Sequence, residues 1–175
     1  MCYFYYMSRI FVFIYISMLL ALTGCSHRYG IQSQHAFIRK MTAGNIPVDN
    51  QGRPQSSGIQ TAHLVYLELA DTIDKPQWDT AWIKGTAYTI QPFKITQLPV
   101  TPGKVKETQE PVNLTAGPGN SLWQLLLTPL TKATPTEEII TKMKQHPIVL
   151  SGWWRGKKAM YTIKEQTELE TVFGE

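Results

Sequence analysis

The sequence predicts an α+β protein that is mostly β, a small antiparallel sheet or sandwich with one short helix at about 134–146. Three observations carry this. Several runs of seven to ten residues are rich in β-branched and aromatic side chains and are bounded by Pro, Gly or polar clusters. One segment alone combines helix-capping residues with helical apolar spacing. The first 58 of the 175 residues contribute little to a core, so the chain divides into an apolar leader (1–24), a flexible tether (25–58) and a single β-rich domain (59–175).

The leader comes first. Ile10 to Leu22 reads IFVFIYISMLLAL, thirteen residues without a charge. As a helix these rise roughly 20 Å, short of the hydrocarbon core of about 30 Å. Arg9 precedes the run and small residues follow it, which is the anatomy of a secretory signal peptide. The opening MCYFYY places aromatics where positive charge is expected, and Met7 offers an equally good start. Beyond the leader the only cysteine is Cys25, so neither an intramolecular disulfide nor a cysteine-based metal site is available to the domain.

Leu22-Thr23-Gly24-Cys25 resembles the lipobox of bacterial lipoproteins: Leu, a small residue, Gly or Ala, then Cys. The resemblance covers the leader and the first mature residue. It implies thioether linkage of Cys25 to diacylglycerol, cleavage after Gly24, and often acylation of the new amino terminus. Each buried methylene contributes about 0.8 kcal/mol, and two or more chains anchor stably where one does not. Ser26 follows Cys25 where an Asp is associated with inner-membrane retention in enteric lipoproteins. The resemblance therefore implies an outer-membrane anchor facing the periplasm.

Residues 26–58 hold only nine apolar residues among 33 and read as a tether, with HAFIRKM (35–41) as a short segment able to dock. TAHLVYLELA (61–70) is apolar on both faces and predicts a buried strand. AWIKGTAYTI (81–90) predicts a second, limited by Pro92, and FKITQLPV (93–100) a third. Residues 101–120, with three prolines and three glycines, predict a long surface loop. SLWQLLLTPL (121–130) fits a buried strand or a short helix. In TPTEEIITKMKQHP, Thr134 is placed as N-cap, Pro135 in the first turn and Glu137 in a capping box, with Ile139, Ile140 and Met143 on one face. IVLSGWW and KKAMYTI predict a hairpin about Arg155-Gly156, and TELETVF a last edge strand. Five to seven strands are expected in all. WIKGTAYTI also echoes WRGKKAMYTI, a similarity that shared strand composition explains more simply than duplication.

SGWWRGKK holds the candidate partner-binding residues Trp153, Trp154, Arg155, Lys157 and Lys158. Adjacent residues on a strand face opposite ways, so one tryptophan enters the core and the other lies at a surface. Tryptophan beside cations suits an anionic partner, a glycan or a lipid headgroup. Asp71, Asp74 and Asp79 gather in one loop but lack the spacing of a calcium loop, and no metal is expected. Among His27, His35, His63 and His146 there is no His-Glu-x-x-His pair, Ser151 lacks a Gly-x-Ser-x-Gly elbow, and no glycine-rich phosphate loop occurs. No catalytic residue and no cofactor are assigned. The formal charge of +4 is dispersed, which disfavours nucleic acid as a partner.

The expectation is a membrane-anchored envelope lipoprotein acting as a non-enzymatic binding or assembly module. Its partner would be another envelope protein, in a secretion, pilus or conjugation machine. HLVYLELADTIDKP (63–76) resembles the strand and turn of small β-sandwich pilotin-type lipoproteins over fourteen residues, with no residue roles carried across. The alternative is a ligand-, glycan- or lipid-binding periplasmic lipoprotein, with an envelope enzyme less favoured.

Overall fold

The computed structural model describes residues 28–42, 49–51 and 59–173. The leader 1–24, Cys25 and the segments 43–48 and 52–58 lie outside the described residues. The fold is mostly β. The strands are β1 (Ile31–Thr42), β2 (Ile59–Ala70), β3 (Gln77–Ile83), β4 (Thr86–Lys94), β5 (Val100–Lys104), β6 (Pro111–Leu114) and β7 (Asn120–Pro129). After a short α-helix, α1 (Glu137–Met143), come β8 (Ile148–Trp154), β9 (Lys157–Ile163), β10 (Thr167–Glu168) and β11 (Val172–Phe173). The larger sheet runs β10-β1-β2-β7-β4-β3-β8-β9, with β11 also on β1 and β5-β6 forming a separate pair. All pairings are antiparallel except those of β10 and β11 with β1, which make the sheet mixed.

Seven successive strands send side chains into one core, so the sheet must curl around it. Ile31 and Ala36 enter from β1, Val65, Leu67 and Leu69 from β2, and Leu125 from β7. Ile90 enters from β4, Ala81 and Ile83 from β3, Ile148 and Leu150 from β8, and Ala159 and Ile163 from β9. Two smaller clusters lie on the other face. Phe37, Tyr66 and Leu122 meet Leu114 of β6 and Leu169 beyond β10, while Trp82, Ala87 and Val149 meet Ile139 of α1. Strands covered on both faces read as continuous apolar runs, which explains LVYL in β2 and IVL in β8.

Two tight turns set the register of the hairpins. Lys84-Gly85 between β3 and β4, and Arg155-Gly156 between β8 and β9, both take positive φ at each position (49° and 86°; 50° and 72°). Two consecutive left-handed residues form the type I′ geometry that matches strand twist. The echo between the two stretches is thus visible as two hairpins that turn on a cation and a glycine. The expected single strand over 81–90 is corrected to the end of β3, this turn and the start of β4.

Other expectations are also corrected. Ile31–Thr42 is a twelve-residue strand, not tether, paired with β2 along one edge and with β10 and β11 along the other. Its composition is polar because strands on both of its edges fix it and few of its side chains enter a core. The proposed loop 101–120 contains β5 and β6, whose Val100, Val112 and Leu114 cover the second cluster. The Arg39 guanidinium donates to the Pro102 carbonyl, tying this hairpin to β1. β4 continues through Pro92 to Lys94, replacing the third strand expected at 93–100. Only β7 flanks that half of β4, so the proline withholds no donor from a ladder. SLWQLLLTPL resolves as strand β7. Eleven strands occur among the described residues, against the five to seven expected.

The helix begins two residues later than placed. Thr136, not Thr134, is the N-cap, its hydroxyl accepting from the Ile139 N–H at 3.5 Å. Ile139 is buried and Met143 packs beneath the helix, but Ile140 is exposed.

β3 carries a bulge where Trp78 faces Gly152 and Thr80 faces Ser151, leaving Asp79 unmatched. The strands approach so closely there that a Cβ on Gly152 would overlap the Gln77 carbonyl oxygen and lie 2.8 Å from Trp78 Cα. Gly152→Ala is expected to cost about 1–3 kcal/mol through overpacking against backbone. Gly156→Ala, with open space around it, should show only the left-handed penalty of about 1–2 kcal/mol. Urea denaturation of both variants measures this, and an unchanged midpoint for Gly152→Ala would contradict the packing described.

Candidate functional site

The β8–β9 hairpin places the five candidate residues on two different faces. Trp153 pairs with Lys158 across the hairpin and points outward, 47% exposed. Trp154 turns the opposite way and packs against the central core. Its indole N–H donates to the Asp74 carbonyl at 2.9 Å, and the Tyr29 ring meets it edge-on at 5.3 Å. Arg155 lies over the Trp154 ring at 4.7 Å and reaches the Asp74 carboxylate at 3.2 Å. Lys157 sits opposite Trp154 at the exposed base of the turn.

Trp153 and Lys158 belong to a groove of about 370 Å³ between α1 and the outer face of β8 and β9. Asp79 and Ser151 line one side, and Glu138 and Lys142 of α1 the other. The Asp79 bulge builds this wall. Ser151 Oγ donates to the Thr80 carbonyl at 3.3 Å or to Asp79 Oδ1 at 3.4 Å. No histidine lines the groove, and the acidic group that Ser151 faces there is the Asp79 carboxylate. An exposed indole flanked by both signs of charge suits recognition of a polar or mixed surface.

A second cavity, about 310 Å³, lies within the curl of the sheet and is lined by Leu67, Leu69, Trp78, Pro92, Trp123 and Leu125 with Lys75 beside it. Lys75 Nζ stands 5.4 Å from the centre of the Trp123 ring. The walls are apolar, and the one cation suits a ligand with an anionic end.

The three loop carboxylates diverge. Asp71 accepts from Ser121 Oγ at 2.6 Å and lies 3.7 Å from Lys75 and 3.8 Å from Lys94. The Ser121 hydrogen bond and then these cations hold it below the ordinary carboxylate range. Asp74 pairs with Arg155, and Asp79 faces Ser151. Among the described residues no group of His, Cys, Asp and Glu side chains is arranged to hold a metal ion.

Sequence reasoning missed a polar latch centred on Glu68. Its carboxylate accepts from Gly117 N–H at 2.8 Å, Asn120 Nδ2 at 2.6 Å and Ser33 Oγ at 2.7 Å. Burial opposes its charge, but these hydrogen bonds and His35 outweigh burial and lower its pKa. Serine, histidine and glutamate meet here without forming a catalytic relay, because Ser33 donates to Glu68 instead of to His35. His63 is held neutral-leaning by burial and then by Lys84, with Gln166 Nε2 at 3.0 Å from its Nδ1. His35, lowered chiefly by burial, and His63 are thus accounted for by packing and hydrogen bonds.

The two tryptophans separate stability from recognition. Trp154→Ala is expected to destabilise by about 3 kcal/mol, since it loses core contact and the Asp74 bond. Trp153→Ala should cost less than about 1 kcal/mol. Thermal unfolding of the two variants checks this, and equal losses would contradict the split between faces. No protein-family model, no curated protein and no solved structure matches this chain.

Proposed function

We propose that the chain is an envelope lipoprotein, anchored through Cys25, whose β domain is a non-enzymatic binding or assembly module. The observation that carries the anchor is the sequence Leu22-Thr23-Gly24-Cys25 at the end of an uncharged run of thirteen residues. A thiol at that position is the nucleophile that diacylglyceryl transfer requires, and two or more acyl chains give stable membrane attachment. No helix among the described residues is long and apolar enough to cross a membrane. Ser26 after the cysteine favours the outer membrane, with the domain in the periplasm.

Two surfaces support a role in binding. One is the groove beside Trp153. The other lies where Met41 pairs with Val172, and Thr42 with both Ile59 and Phe173. Met41, Ile59, Val172 and Phe173 are all exposed there, Phe173 at 76%. By register Met41 and Val172 share one face of this sheet end and Ile59 and Phe173 the other, so each face carries an exposed apolar pair. A partner protein in an envelope machine fits these surfaces better than a reaction fits the scattered Ser151, His35 and His63.

Growth with labelled palmitate tests the anchor. The wild-type chain should incorporate label, accumulate as unprocessed precursor under globomycin, and lose the label in Cys25→Ala. Label retained at the wild-type level in Cys25→Ala would sink the proposal.

A further inference from the structure

The structure gathers an aromatic and basic rim at the end of the sheet where the chain enters, and we infer that this rim rests on anionic headgroups of the bilayer that holds Cys25. The inference rests on the lipid anchor proposed above, to which it adds an orientation and a lipid chemistry.

Register defines the end. Ile31 lies beside Leu69, Ala70 beside Asn120, Trp123 beside Lys94, and Gln77 beside Trp153. The β2–β3 loop and the β8–β9 turn therefore project from the same end as the start of β1. Tyr29, two residues before Ile31, packs edge-on against Trp78 at 5.7 Å, Trp154 at 5.3 Å and Tyr161 at 6.5 Å. Gly30 abuts the same loop, since a Cβ there would come within 3.1 Å of Ile73 Cβ. The entering chain is thus part of this end, not a strand leaving it.

Covalent reach does the rest. Cys25 precedes Arg28 by three residues, so their Cα atoms stand no more than about 11 Å apart in any conformation of Ser26 and His27. A lipid on Cys25 leaves no length of chain to hold this end away from the headgroups.

The chemistry at the rim matches that layer. Lys75, Lys94, Arg155 and Lys157 are exposed there, and Trp123 and Trp154 lie beneath two of them. Asp71 pairs with Lys75 and Lys94, and Asp74 with Arg155, so these two carboxylates offset part of the charge and the four cations outnumber them by two. Glu68, further along β2, is tied to Gly117, Asn120 and Ser33. Tryptophan with lysine and arginine is the composition that membrane interfaces select, and the cations add attraction to anionic lipid.

The test uses the mature lipidated protein in phosphatidylcholine vesicles with or without phosphatidylglycerol. A single dye is placed through Thr72→Cys in the β2–β3 loop, or through Lys84→Cys in the turn at the other end. Headgroup-labelled lipid is the quencher. The ends are separated by about nine residues of strand, roughly 30 Å, so the Thr72 dye should be quenched at least about threefold more strongly. Phosphatidylglycerol should raise its quenching further, and Lys75→Glu with Lys157→Glu should remove that rise. If Cys25 carries its acyl chains but both dyes are quenched alike, or the rise is absent or survives charge reversal, the headgroup contact is overturned and the anchor stands. If mass spectrometry finds no acyl chain on Cys25, the anchor is overturned and this inference with it.

Discussion

Tyr29 occupies the place on which the fold turns. The sheet curls around its core, yet among the described residues β9, at one end of the strand order, pairs neither with β10 at the other end nor with β1 beside it. Side chains must close what the backbone leaves open. Tyr29 does so by meeting Trp78 of β3, Trp154 of β8 and Tyr161 of β9 from a position just ahead of β1. Aromatic edges at these separations stabilise beyond their buried area, by about 0.5–1.5 kcal/mol for each pair. The same contact fixes the point where the chain enters, so closure of the sheet and placement of the amino-terminal segment share one cause.

How much of this was legible depended on where the information lies. The β8–β9 hairpin was readable because Arg155-Gly156 separates two β-rich runs, and local turn chemistry decides such a unit. β2 was readable because its middle, Leu64 to Leu67, forms one apolar run with Val65, Tyr66 and Leu67 buried. β1 was not, since its identity comes from three strands distant in sequence that supply its ladder. β5 and β6 hid among prolines and glycines for a similar reason: their few apolar residues are held by Phe37, Tyr66 and Leu169. The two-residue shift of the helix start turned on a choice between two threonines that sequence leaves equivalent.

The candidate site divides in the same way. That one of Trp153 and Trp154 must face outward follows from the period of a strand. The groove beside Trp153 does not, because it depends on the bulge at Asp79 and on α1 crossing the outer face. The network around Glu68 was invisible for a further reason. Ser33, Glu68, Gly117 and Asn120 have no sequence spacing that links them, and only the pairing of β1, β2 and β7 brings them together.

Recognising β1 alters the meaning of the lipobox-like stretch. With a tether of 33 residues the domain would stand clear of a membrane, whereas a strand beginning at Ile31 leaves only a few residues after Cys25. The central claim is therefore that Ile31–Thr42 is an integral strand. Hydrogen exchange on the full chain tests it directly. Amides in Ile31–Thr42 that pair with β2 should exchange as slowly as those of β2 and β7, through opening of the whole sheet. Exchange of this segment within seconds, while β2 and β7 stay protected, would contradict the account.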